Sequence, residues 1–307
     1  MKYIKNTTDF YIEEKTAISL GKFDGFHRGH ELLMRRLREQ KRQGYRTVIF
    51  TFDIPPQKGI SRVEAKVLTT NEEKRHLFER AGVDYVVECP FTPKIMCMEP
   101  EAFIEKIVRQ LHVGYIVAGK DFHFGHKRSG DYRTLQACAD RYGYRVVIEN
   151  KIKEDARDIS STYIREQIEQ GNIKKANHML GYHYFVTGDV CTGNHLGRTM
   201  GFPTANQLPP GDKLLPKNGV YVTRTRIGER SCPGITNVGY KPTIEGQNPL
   251  GVETHLFDFH GDLYGRKITV EFLERLRDEQ KFDSLALLKS QLQRDVAAGR
   301  QYFRKQH

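Results

Sequence analysis

Residues 16–37 read Thr16-Ala17-Ile18-Ser19-Leu20-Gly21-Lys22-Phe23-Asp24-Gly25-Phe26-His27-Arg28-Gly29-His30-Glu31-Leu32-Leu33-Met34-Arg35-Arg36-Leu37. The first five are an apolar run of buried-strand length. The last seven carry apolar residues at helical spacing, with Gly44 beyond as a C-terminal stop. His27 and His30, an H-x-G-H pair, therefore sit at a strand-to-helix turn. Backbone N–H groups and the positive end of the helix dipole favour an anion there, and two imidazoles add donors suited to a triphosphate, so the stretch reads as ATP-handling. An ordinary βα loop with two solvated histidines would carry the same four residues.

Outward from this unit the alternation continues. Residues 47–52 form a strand, and a helix follows from Thr70, whose Glu73 completes a capping box. A strand over 83–87, a helix over 102–111, a strand over 115–118, a helix near Leu135 and a strand over 145–148 complete the series. This order predicts a parallel sheet covered on both faces, with ligands beyond the carboxyl ends of its strands, where His27 and His30 fall. Two short helices are predicted over 162–169 and 173–180, closed by Gly171 and Gly181. From 184 to 273 the pattern is short alternating strands, with turn signals at Gly193-Asn194, 227–229 and 260–262, and it predicts a small antiparallel barrel. Leu285, Leu288, Leu292 and Val296 then give a closing helix over 284–302. A domain boundary near residue 182 follows, dividing the chain into 1–182 and 183–307.

The net charge of +11 is spread among acidic residues without a basic tail. That distribution favours phosphate-lined pockets over a nucleic-acid stripe, so no nucleic-acid partner is expected. The five cysteines, Cys89, Cys97, Cys138, Cys191 and Cys232, are odd in number and include no C-x-x-C pair, which argues against a zinc site or a disulfide framework and for a reducing compartment. With no signal-like amino terminus and no apolar run of membrane-spanning length, the expectation is a cytoplasmic protein without a membrane partner.

A second cluster, Ile159-Ser160-Ser161-Thr162-Tyr163-Ile164-Arg165, opens a helix with hydroxyls and sets an arginine one turn in. Ser161 or its neighbour serves either as an N-cap or, with Arg165, as a phosphate donor set. Together with H-x-G-H, the cluster resembles the nucleotidylyltransferase superfamily. Between them, Gly119-Lys120-Asp121-Phe122-His123-Phe124-Gly125-His126-Lys127-Arg128-Ser129-Gly130-Asp131 is similar to the G-x-D-F-x-F-G-x-x-R-x-G-D motif of the bacterial bifunctional riboflavin kinase/FMN adenylyltransferase family. Phe122 and Phe124 offer aromatic faces to an isoalloxazine ring, or else are core residues, and Arg128 suits the FMN phosphate.

The second half carries Gly197-Arg198-Thr199-Met200-Gly201-Phe202-Pro203-Thr204-Ala205-Asn206, which resembles the G-R-x-x-G-F-P-T-A-N string of riboflavin kinases. Val252-Glu253-Thr254-His255 and Arg277-Asp278-Glu279-Gln280-Lys281-Phe282 are similar to that family's V-E-x-H and R-x-E-x-K-F elements. The resemblance runs from about residue 16 to 303. It implies a Rossmann-like adenylyltransferase domain followed by a kinase barrel, the first converting FMN to FAD and the second riboflavin to FMN, with ATP as co-substrate of both and Mg²⁺ as cofactor.

The resemblance also implies roles. Gly21, Phe23, Asp24, Gly25, His27, His30, Ser160, Ser161, Thr162 and Arg165 belong to one ATP site. Gly193, Gly197, Thr204 and Asn206 belong to the other, where Thr204 and Asn206 also hold the metal. Asp121, Phe122, Phe124, Arg128, Asp131, Arg277 and Glu279 bind flavin. Glu253 is the base toward the ribityl 5′-hydroxyl, although a lone glutamate in an antiparallel strand is ordinarily a solvated one. Departures from the family pattern fall at Lys22, at Asp53-Ile54-Pro55 and at Lys241. They leave open a kinase whose nucleotidyl transfer is weak or altered; a non-catalytic flavin- or RNA-binding regulator is the other alternative, and Glu253 argues against it.

Overall fold

The computed structural model describes residues 1–53, 66–193, 197, 200–240 and 250–306. By packing, the chain forms two compact units, Met1–Ser161 and Thr162–His307.

The first unit runs β1 (Lys2–Lys5), β2 (Thr16–Leu20), α1 (Arg28–Lys41), β3 (Arg46–Asp53), α2 (Asn71–Arg80), β4 (Tyr85–Pro90), α3 (Pro93–Met96), α4 (Pro100–Leu111), β5 (Val113–Gly119), α5 (Tyr132–Tyr142) and β6 (Arg145–Glu149), then a small hairpin of β7 (Lys153–Glu154) and β8 (Arg157–Asp158). Six strands form one parallel sheet in the order β1-β4-β3-β2-β5-β6. Every residue of β2 is buried, as a strand covered on both faces requires. From β2 the chain builds outward through β3 and β4, then returns to β5 on the other side of β2. The strand order reverses between β2 and β5, which is where an open α/β sheet leaves its ligand crevice. Ile54 to Pro56 lie outside the described residues.

The second unit opens with α6 (Ser161–Gln170), whose first residue closes the first unit, and α7 (Ile173–Leu180). Six antiparallel strands follow, β9 (Phe185–Cys191), β10 (Ala205–Gln207), β11 (Gly219–Ile227), β12 (Arg230–Tyr240), β13 (Leu250–Leu256) and β14 (Lys267–Arg277), and they close into a barrel in the order β10-β13-β12-β11-β14-β9. Helix α8 (Leu285–Arg304) packs on β12 and β11. Helix α7 packs on β14, where the Asn177 amide donates to the Phe272 carbonyl at 2.8 Å and Lys174 pairs with Glu274 at 2.7 Å.

Side chains alternate through the barrel wall. Thr223, Thr236 and Thr254 are fully buried on its inner side, their hydroxyls joined at 2.7 and 2.9 Å. The outer side carries a different row. Cys191, Asn206, Glu253 and Asn237 stand directly opposite one another on four adjacent strands. Among the described residues no helix is long and apolar enough to cross a membrane.

Candidate active sites

His27 is the extended N-cap residue of α1, and its ring lies stacked on that of His30 with centroids 3.8 Å apart. Gly29 permits this: a Cβ there would meet the His27 ring at 3.1 Å. His30 rests in turn against Phe23 and Phe26, and both phenylalanines pack edge-on against Phe78. His27 is therefore buried and His30 half-buried against the aromatic cluster, rather than solvated. Burial pushes His27 down to about 4, with Asp121 and Asp24 pulling the other way and Lys151 adding to the depression. Burial, then the His27 charge, holds His30 well below the ordinary histidine range. Both rings are neutral near pH 7, and Nδ1 of each is buried with no hydrogen-bond partner among the described residues. What the turn offers is a pair of neutral imidazoles packed at a helix N-terminus.

The loop from Gly21 to Phe26 is pinned rather than open. The Asp24 carboxylate accepts from the backbone N–H groups of Leu68 and Thr69 at 2.9 and 3.1 Å, Gly25 N–H donates to the Thr69 hydroxyl, and Ser161 donates to the Asp24 carbonyl at 2.8 Å. Asp24 thus shapes the loop through its own hydrogen bonds, and Ser161 joins the second cluster to the first. Ser160 precedes it, and Thr162 and Arg165 follow within the first turn and a half of α6. Lys22 is exposed and forms no ion pair with Asp53.

Beyond β5, the flavin-type motif divides. Phe122 and Phe124 stack with centroids 5.4 Å apart, but Phe124 is 4% exposed and packs on Phe103 as a core residue, while Phe122 is half-buried above it. Arg128 is exposed, in a left-handed conformation. Asp131 caps α5, accepting from Arg133 and Thr134 in a reciprocal box. Asp121 is exposed and pairs with Lys151 at 3.1 Å, and Lys151 also reaches Asp158 at 3.6 Å. Lys151 gave no sequence signal; it lies in a polar stretch and matters only because the fold returns it beside Asp121.

The barrel carries two cavities that share a wall. One, of about 540 Å³, is lined by Gly197, Thr204, Asn206, Asn237, Glu253, Arg277 and Glu279 together with Phe202, Phe282, Leu288 and Leu292. The other, of about 450 Å³, is lined by Pro203, Thr204, Ala205, Asn206, Asp262 and Tyr264 with Val190, Leu256, Phe259 and Leu263. Thr204 and Asn206 face both, whereas Glu253 faces only the first. Glu253 lies on the outer side of the wall, but α8 covers that side and leaves it half-buried over the cavity. Gly193 passes close to the Asn206 amide, whose Cγ a Cβ would meet at 2.7 Å. Arg277 reaches the cavity wall, yet its guanidinium is committed to Asp295, which the sequence reading missed. Glu279 is exposed and accepts from the Asn218 amide at 3.3 Å. Arg198 and Thr199 of the G-R-x-x-G string and Lys241 to Thr243 lie outside the described residues.

Thr204 and Asn206 provide hard oxygen donors, and among the described residues no group of three or more His, Cys, Asp or Glu is placed to hold a metal. That donor set fits Mg²⁺, which takes few protein ligands and completes its shell with phosphate oxygens and water.

Comparison with known proteins follows the same division. The FAD synthetase family profile matches residues 10–163, and the riboflavin kinase profile matches 180–303. A bifunctional riboflavin kinase/FMN adenylyltransferase of Listeria monocytogenes is 34% identical over 302 residues, covering 97% of this chain and 96% of its own. The protein of that name from Escherichia coli K12 is 35% identical over 296 residues, covering 95% and 94%. A crystal structure described as a macrolide-efflux protein from Streptococcus pneumoniae superposes with a TM-score of 0.87 at 30% identity, covering 97% of this chain and 98% of that one. Each half has its own profile and the relatives span the chain nearly end to end, so this chain belongs to the bifunctional riboflavin kinase/FMN adenylyltransferase family.

Proposed function

We propose a division of labour among the residues of a two-step FAD synthesis. The chain is a bifunctional enzyme: its carboxyl-terminal half transfers the γ-phosphoryl of ATP to riboflavin, and its amino-terminal half adenylylates the resulting FMN with release of pyrophosphate. In the kinase half, riboflavin occupies the cavity that Glu253 faces and ATP the one beside it. Glu253 takes the proton of the ribityl 5′-hydroxyl as that oxygen attacks the γ-phosphorus and ADP leaves. Thr204 and Asn206 would hold Mg²⁺ on the shared wall. Bound there, the ion supplies neutralisation of charge on the transferred phosphoryl group. The observation that carries this reading is the shared wall itself: two cavities meet at Thr204 and Asn206, and the only carboxylate of the Asn206–Glu253–Asn237 row faces the flavin side.

In the adenylyl step an FMN phosphate oxygen attacks the α-phosphorus of ATP and pyrophosphate departs. The nucleophile is already anionic, so no base is required. His27 and His30 act as neutral donors, and with Arg165 they stabilise charge at the α-phosphorus and on the leaving group. Phe122 presents its free face to the isoalloxazine ring, with Arg128 toward the FMN phosphate. The unpaired cysteine pattern supports action in the reducing cytoplasm. Incubating the protein with riboflavin, ATP and Mg²⁺ and resolving the flavins by chromatography tests the whole scheme. FMN should appear first and FAD after it, and a protein that leaves riboflavin unchanged would refute the kinase assignment.

A further inference from the structure

Helix α8 is held to the barrel in two different ways along its length. Its carboxyl-terminal half is anchored by apolar packing: Val296 and Phe303 lie on Val220, Ile235 and Phe257, and Gly299 has no Cβ, which would meet Ile235 at 2.8 Å. Its amino-terminal half overhangs the larger cavity. Leu288 and Leu292 line the cavity, while Leu285 and Leu287 remain exposed. Asp295 sits between the two halves and is 4% exposed. It accepts from Arg277 Nε at 2.9 Å and Nη2 at 2.7 Å, and from the Gln291 amide at 2.8 Å. A third Arg277 donor goes to the Asp278 carbonyl, and the guanidinium lies over the Phe282 ring. Both oxygens of a deeply buried carboxylate are thus spent on binding the last residue of β14 to the middle of α8.

A buried pair of this kind is a weak source of stability, since the desolvation of two charges offsets most of their attraction, but its bidentate geometry is specific. Two consequences follow at the cavity. The overhanging half of α8 has a fixed height above the floor where Glu253 stands. The Arg277 cation, which shares the cavity with Glu253, has three of its five N–H donors committed to Asp295 and the Asp278 carbonyl.

We propose that Asp295 is a positioning residue of the kinase: by clamping Arg277 it sets the roof of the flavin cavity and places the ribityl chain over Glu253. The proposal deepens the kinase reading and rests on it. Asp295→Asn in the full-length protein tests it. Riboflavin affinity, read from quenching of its own fluorescence, should weaken by about tenfold as the preformed site is lost. Binding of ADP with Mg²⁺, which uses the other cavity, should not change, nor should conversion of supplied FMN to FAD. Unchanged riboflavin affinity would overturn the proposal, and so would equal weakening of riboflavin and ADP, which would mark the clamp as a general brace. Gln291→Leu removes one donor without stranding a charge and serves if Asp295→Asn does not fold. It should show the same selective loss in smaller measure, and a loss shared equally by ADP would overturn the proposal there too. A parental protein that fails to phosphorylate riboflavin would instead sink the kinase reading itself.

Discussion

Replacing Gly193 by Ala isolates the contribution of Asn206 to phosphoryl transfer. Gly193 does not occupy the left-handed region, so alanine is free of backbone strain there and the effect is steric. The new Cβ would stand 2.7 Å from Asn206 Cγ and closer still to Nδ2, whereas ordinary contact begins near 3.4 Å. The amide must retreat by about 1 Å, a misplacement that costs on the order of 10²-fold in rate when the group orients reactants. Asn206 has little room to absorb this otherwise: it is 5% exposed, and its backbone is paired with β9 on one side and β13 on the other. The kcat of riboflavin phosphorylation is therefore expected to fall about a hundredfold, equivalent to about 2.7 kcal/mol in the barrier. The Mg²⁺ concentration giving half-maximal rate should rise. Conversion of FMN to FAD by the same preparation, followed in parallel, should hold its parental rate. A Gly193→Ala enzyme with parental kcat and parental Mg²⁺ dependence would refute the assignment of Asn206 to the metal and phosphate site.

Glu253→Gln keeps the shape of the side chain but removes the base, so riboflavin kinase activity should drop by on the order of 10²–10⁴. FAD formation from FMN should survive, and an unimpaired kinase would show that Glu253 is not the proton acceptor. Truncation should depend on α6 and α7: a fragment of 162–307 keeps Asn177 on the Phe272 carbonyl and on Tyr184 N–H and should fold and make FMN, whereas one of 183–307 strips that flank of β14 and should melt lower or aggregate. Equal melting temperatures for the two fragments would contradict this. Acidity should weaken the amino-terminal unit in a defined window. His27 is held near 4 in the fold against an ordinary 6.5, so between these values the unfolded chain binds the extra proton and stability rises with pH. The melting temperature should fall as the pH is lowered from 7 toward 4, and His27→Gln should flatten that slope; an unchanged slope would mean that the imidazole is not buried neutral.

Much of this molecule is legible in its sequence because period and punctuation agree. The buried run 16–20, the glycine-rich turn and the apolar spacing of α1 fixed a strand, a turn and a helix without tertiary knowledge, and the barrel strands were marked by their turns. What stayed hidden depends on partners distant in sequence. Glu253 looks like a solvated strand residue because the cover over it, α8, begins only at Leu285. Asp295 looks like one polar position on an amphipathic helix, and only Arg277 at the end of β14 makes it a clamp. Strand β1 has no apolar run to announce it and exists because β4 offers an edge. Motif membership also does not say what a side chain's own atoms touch. Asp24 and Asp131 belong to strings read as ligand-binding, yet their carboxylates are spent on backbone N–H groups of Leu68, Thr69, Arg133 and Thr134. Phe122 and Phe124 were equivalent on paper, and only burial separates the ring that presents a face from the one that supports it.

The three threonines inside the barrel bear on where the base stands. Slippage of β13 by one residue would turn Glu253 inward and Thr254 outward, reversing every side chain of that strand. Leucines and valines on the inner side would resist such a slip only through shape. A chain of hydroxyls resists it through hydrogen bonding as well, because Thr236 bridges Thr223 and Thr254 only when all three strands keep their present pairing, and each broken link would strand a buried hydroxyl. The polar interior thus acts as an alignment key for the opposite side of the same wall, and Asn206, Glu253 and Asn237 stay in line across it because Thr223, Thr236 and Thr254 do.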